Sequence, residues 1–148
     1  MGDLPIDPPL ESQEHAVYAP SHNQLLALSA AHARYQHFLT LKKTIKSNTV
    51  GILLQIALKP GITVNELIES MGQISQASCS RNINLLSHRD RHGAPGLGLV
   101  DVRRNPKNPR QHAMFLTAKG EEFMDELEAI TDEVLASGDD SYAMSPHT

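Results

Sequence analysis

Apolar positions along this chain recur mostly at helical spacing, in blocks separated by short polar breaks. Leu25, Leu28, Ala31 or His32, Tyr35, Phe38 or Leu39, Leu41 or Lys42, and Ile45 follow one another every three or four residues. That spacing predicts a long first helix from about Asn23 to Lys46, capped by Ser21 or Asn23 and about 35 Å long. Such a helix exceeds what a small core needs, so part of it should pack on something else. A second block, Thr49 to Leu58, is apolar on several sides (Val50, Ile52, Leu53, Leu54, Ile56, Leu58) and predicts a buried central helix stopped by Pro60-Gly61.

The next boundary is sharper. In Thr63-Val64-Asn65-Glu66 the hydroxyl can accept from the Glu66 amide while the carboxylate reaches back to Thr63, a capping box flanked by Ile62 and Leu67 as a hydrophobic staple. The third helix should end near Met71-Gly72, where glycine tolerates a left-handed conformation. Ser75 can cap a fourth helix, Gln76 to about His88, whose core stripe is Cys79, Ile83 and Leu86. Gln76, Ser78, Arg81, Asn82 and Asn84 are left to its other faces. Two short helices joined by a tight glycine-containing turn, the second polar and basic outside, describe a helix-turn-helix.

Beyond a Gly/Pro/Arg-rich loop from His88 to Leu97, alternation replaces helical spacing. Leu99 to Arg104 and Arg110 to Thr117 predict a hairpin turning at Asn105-Pro106-Lys107-Asn108-Pro109. A last helix, about Ala118 to Ala136, carries Phe123, Leu127, Ile130 and Val134 on one narrow stripe with acids elsewhere, a pattern suited to helix–helix packing. The expected organisation is a flexible acidic, Pro-rich arm (1–20), one domain (21–136) and a disordered tail (137–148).

Charge changes the picture when taken by region. The chain of 148 residues has a net charge of −4, which by itself argues against nucleic acid. Between Gly72 and Gly120, however, eight bases face two acids, so this stretch carries +6 and the remainder −10. A polyanion responds to the local field because distant charges are screened within about 8–10 Å. Aromatic residues are only 4% and Trp is absent, which argues against a stacking platform for single-stranded bases or sugars. A single Cys excludes an intramolecular disulfide or a multi-Cys zinc site. The N-terminus has neither the basic start nor the apolar stretch of a signal peptide, and a cytoplasmic protein is expected.

The order helix, helix, helix-turn-helix, basic hairpin, helix is that of a winged helix-turn-helix. Asn48 to about Ile130 resembles the MarR family of bacterial regulators. The likeness lies in Leu53-Leu54, Pro60-Gly61, Thr63-Val64-x-Glu66-Leu67, Ser80-Arg81 with Ile83 and Leu86, Gly98-Leu99-Val100, and Arg103-Arg104-Asn105-Pro106 through Arg110 to Leu116-Thr117-x-x-Gly120. Several positions depart from the family pattern. The turn before Ser75 is a residue longer, the link HRDRHGAPGL is extended, Asn105 and Asn108 replace acids, and Pro109 replaces a frequent Arg. In the family an Asp near the wing tip commonly orients the Arg two residues on, here Arg110, and two C-terminal helices build a dimer with the first. This chain has room for one.

The resemblance implies a mainly α fold with a small β-hairpin, dimerised through its first and last helices, and a sequence-specific regulator of double-stranded DNA acting as a homodimeric repressor. On the recognition helix, Gln76 could pair with adenine, Arg81 with guanine or phosphate, and Ser78 or Ser80 with phosphate or a base edge, with Asn82 and Asn84 as further contacts. Lys107 and Arg110 would reach the minor groove or backbone from the wing tip, and Arg103 and Arg104 would hold phosphates. For Ser75 and Ser78 the competing account is capping alone; for Arg103 and Arg104 it is solvated strand charge. Cys79, on the core stripe, is expected to act as a small hydrophobe rather than a redox switch. His88 and His92 are four apart where the helix is expected to end, and His32 and His37 do not share a helix face well, so no metal or cofactor is expected. No phosphate loop, nucleophile elbow or HExxH pair is present, so no enzyme activity is expected. Tyr35 and Phe38 are the residues on which the family's phenolic-ligand pocket would rest, with the effector unknown. The alternative from another class is a winged-helix protein–protein interaction module or co-regulator docking through its acidic helix.

Overall fold

The computed structural model describes residues 17–88, 93 and 95–144, with residues 138–144 described as backbone alone. Most of the expected N-terminal arm, much of the loop after His88, and residues 145–148 lie outside the described residues. The element order is α1 (His22–Leu39), α2 (Ser47–Leu58), β1 (Ile62–Thr63), α3 (Val64–Met71), α4 (Gln76–Leu86), β2 (Val100–Asn105), β3 (Asn108–Leu116) and α5 (Ala118–Met144). The three strands form one antiparallel sheet in the order β1-β3-β2.

Helix α1 starts where a capping box forms: Ser21 Oγ accepts from the Gln24 amide and Gln24 Oε1 accepts from the Ser21 amide. It ends seven residues earlier than the periodicity predicts. Thr40 Oγ1 donates to the His37 carbonyl at 2.6 Å, and the amides of Thr40 and Leu41 turn to carbonyls three residues back. The helix tightens and stops with no glycine or proline to announce it. Residues 40–46 become a connector, and Leu41 packs against the core cluster beside α2. At the other end, α5 runs to Met144, eight residues past the expected end at Ala136, so that part of the expected tail is helical backbone.

The core forms around α2, whose Ile52, Leu53 and Ile56 have no solvent exposure. Leu67 of α3, Cys79, Ile83 and Leu86 of α4, and Leu99, Val100 and Met114 of the hairpin close over it. Leu58, expected in the buried run, is instead exposed at the end of α2. The capping box of α3 forms as predicted, with Thr63 Oγ1 accepting from the Glu66 amide and Glu66 Oε1 from the Thr63 amide. Strand β1 is a feature the sequence does not announce. Ile62 pairs with Met114 and Thr63 with Ala113, so the start of α3 is tied to the wing.

The extended link after α4 closes back on that helix. The amides of Gly96, Leu97, Gly98 and Leu99 donate to the carbonyls of His88, Leu85, Ser87 and Leu86, respectively. Carbonyls that a helix end ordinarily leaves to water are thereby satisfied. A Cβ at Gly96 would collide with the Ser87 carbonyl, so only glycine permits this approach. Helices α1 and α5 lie side by side. His37 stacks on Phe123 with centroids 4.1 Å apart, and Arg34 donates to Thr131 Oγ1 at 2.6 Å.

Candidate nucleic-acid interface

Helix α4 begins at Ser75, whose hydroxyl accepts from the Ser78 amide at 3.1 Å. With Cys79, Ile83 and Leu86 buried, helical geometry turns Gln76, Ala77, Ser80 and Arg81 outward, and all four are exposed. Asn84 continues that face, half-buried at the edge of a cleft of about 580 Å³ between α4 and the sheet. Ala77 belongs to this surface although its apolar side chain gives no sign of it in the sequence.

Ser78 and Asn82 sit on the side of α4 that faces α2. Asn82 Nδ2 donates to the Ser78 carbonyl at 2.8 Å, and Asn82 Oδ1 accepts from Thr49 Oγ1. Both ends of the Asn82 amide are therefore committed within the protein. Both residues, with Arg81, border a hollow beneath α4 that also includes Lys42 and Lys46.

In the wing, the four sequence-derived cations divide. Arg103 Nε donates to Asp101 Oδ2 at 2.9 Å and its guanidinium lies 4.8 Å from the centre of the Phe115 ring, so its charge is held on its own hairpin. Arg104, Lys107 and Arg110 are exposed and, among the described residues, make no ion pair. The tip is shaped by two asparagines. Asn105 Oδ1 accepts from the Lys107 amide at 3.0 Å and Asn108 Oδ1 from the Arg110 amide at 3.2 Å. Each makes an Asx-type turn that fixes the backbone without a carboxylate near the tip. Asn108 thus orders the backbone of Arg110, while no side chain among the described residues braces the guanidinium.

The wing and the recognition helix converge. A cleft of about 300 Å³ is lined by Asn65 at the start of α3, Gln76 and Ser80 of α4, and Arg110, Gln111 and His112 of β3. Asn65 and His112 carry no sign of this placement in the sequence. They arrive here because β1 pairs with β3 and brings the first turn of α3 alongside the wing.

Two further sequence-derived features can be placed. Cys79 is fully buried, and burial pushes its thiol above the ordinary range. Tyr35 and Phe38 line an apolar hollow of about 520 Å³ with Ala31, Arg34, Ile45 and Val50. Among the described residues no cluster of His, Cys, Asp and Glu is placed to hold a metal ion, and no helix is long and apolar enough to cross a membrane.

Neither a protein-family model nor a curated protein sequence matches the chain. Solved structures do. A mutant MarR from E. coli is 16% identical with a TM-score of 0.53, covering 90% of this chain and 85% of that one. A MarR transcriptional regulator from Methanosarcina mazei Go1 is 20% identical with a TM-score of 0.52, covering 83% and 78%. The transcriptional repressor CouR, in a structure bound to a 23-mer DNA duplex, is 22% identical with a TM-score of 0.50, covering 72% and 70%. These likenesses are of fold: the chain has the winged-helix fold of MarR-family regulators.

Proposed function

We propose, from that shared fold and from the surface it presents, that this protein is a transcriptional regulator that binds double-stranded DNA in a sequence-dependent way. The observation that carries the reading is the convergence of Gln76 and Ser80 of α4 with Arg110 of the wing on one cleft, with Arg81 exposed beside them. Gln76 and Arg81 have the donor and acceptor geometry to read adenine and guanine edges in a major groove. Arg104, Lys107 and Arg110, which make no ion pair among the described residues, supply charge for the adjacent backbone or minor groove. CouR, with the same fold, is a repressor seen on DNA, and repression by occupying a promoter is the sign proposed for this chain.

The assembly proposed is a homodimer through α1 and α5. Leu28 and Tyr35 on α1 and Leu135 on α5 are each more than half exposed, at 51%, 59% and 51%, and a second copy would cover them. Two recognition helices about one DNA turn apart would select a pseudo-palindrome. An effector of unidentified chemistry would enter the hollow lined by Tyr35 and Phe38, and the expected compartment is the cytoplasm.

Selection of bound sites from random duplexes, followed by gel shift, tests the reading. A two-fold symmetric site should emerge, and Arg81→Ala should lose most of the preference over random competitor. Absence of binding at low salt, or binding without preference, would overturn it. Retention of function after charge reversal at Lys107 and Arg110 would favour the protein-docking alternative.

A further inference from the structure

We propose that the hollow beneath the recognition helix is a binding site for a phosphate-type oxyanion. It encloses about 430 Å³ between the α1–α2 connector and α4. Lys42 and Lys46 reach it from the connector and Arg81 from α4, and among the described residues no carboxylate lines it. Among the described residues none of these three cations has an ion pair or a side-chain hydrogen bond. Three like charges gathered on one concavity repel one another, and a bound anion is the simplest group that turns this repulsion into attraction.

The neutral groups of the lining point the same way. Thr49 and Asn82 already satisfy each other across its floor. The side chains of Thr44 and Asn48, which also line it, make no hydrogen bond among the described residues and are left to donate to a ligand. The end of α2 adds to this field, since Lys46 occupies its N-cap without a side-chain hydrogen bond to the first turn. Lysines act here as point charges, suited to a compact tetrahedral oxyanion rather than to planar bidentate recognition. The anion could come from a DNA strand flanking α4 or from a free phosphorylated molecule. The site chemistry is the same for both.

The test has two arms, of which the first does not depend on the DNA-binding reading. In the full chain, inorganic phosphate is titrated against chloride at constant ionic strength and followed by amide NMR shifts. Saturable shifts are expected at Lys46, Ser47 and Asn48. They should vanish in Lys42→Gln/Lys46→Gln and persist in Lys43→Gln, which alters a cation of the same connector that does not line the hollow. Lys46→Gln alone replaces the double variant if that fails to fold. In the second arm the salt dependence of duplex binding is measured. A strand phosphate in the hollow predicts that the double variant lowers the log–log slope by about two, with Lys43→Gln unchanged. A free anion as occupant predicts saturable shifts with an unchanged slope. No saturable shift together with an unchanged slope overturns the proposal. If no duplex binds at all, the proposed DNA function fails and the phosphate titration alone decides this site.

Discussion

Thr49 of α2, only 1% exposed, donates its hydroxyl to the side-chain oxygen of Asn82, 33 residues away on α4. The pair joins the central core helix to the helix that presents Gln76 and Arg81. Asn82→Ala strands a buried hydroxyl, and the expected cost is about 1–3 kcal/mol in urea denaturation. Thr49→Val/Asn82→Leu removes both polar partners and should lose less than the sum of the single variants. A cost equal to that sum would show that the two side chains are energetically independent.

The wing arginines should separate in a salt titration of DNA binding. Arg103 is already engaged by Asp101 and by the face of Phe115. Arg103→Ala should therefore leave the slope of log affinity against log salt unchanged while costing about 0.5–1 kcal/mol of stability. Arg104→Ala and Lys107→Gln should each lower that slope by about two, one phosphate contact in each protomer of the proposed homodimer, and weaken all duplexes alike.

Glu66 couples the start of α3 to pH. Its hydrogen bond from Lys59, then those from the amide and hydroxyl of Thr63, hold the carboxyl below its ordinary value of 4.5. A depressed native value means stability that is complete above 4.5 and is lost as pH falls through the lowered native value. Thermal melts should show this loss in the parent chain and less of it in Glu66→Gln, whose amide can still cap Thr63. Identical acid profiles in the two proteins would remove Glu66 as a contributor.

Cys79 lies in the core with its thiol disfavoured as thiolate. The native protein should react with a thiol reagent only at the rate of unfolding, whereas denatured protein reacts at once. Peroxide should leave DNA binding unchanged in the parent chain, and Cys79→Ala should bind as the parent does. Fast native labelling would contradict the burial.

Much of this architecture is legible in the chain because its signals are local. The Thr63–Glu66 box lies within four residues, and the stripe of Cys79, Ile83 and Leu86 within eight, so both survive without tertiary knowledge. What escapes depends on partners far away in sequence. Strand β1 is two residues long and exists through Met114 and Ala113. The turning of Ser78 and Asn82 toward the protein depends on Thr49, and the engagement of Arg103 on Phe115 across the hairpin. Helix α1 stops at Leu39 through a threonine hydroxyl bond while Leu41 and Ile45 continue the helical spacing, so periodicity overruns the end.

The hydrogen bond from the Gly96 amide to the His88 carbonyl, at 2.9 Å, also makes the junction after α4 a place where the chain can be lengthened. Both ends of the intervening span are anchored independently of its length, and doubling a closed loop costs only about 0.6 kcal/mol. A short reporter tag inserted between them would leave α4 and the wing coupled. This turns an apparent irregularity of the sequence into a handle for following the protein at work.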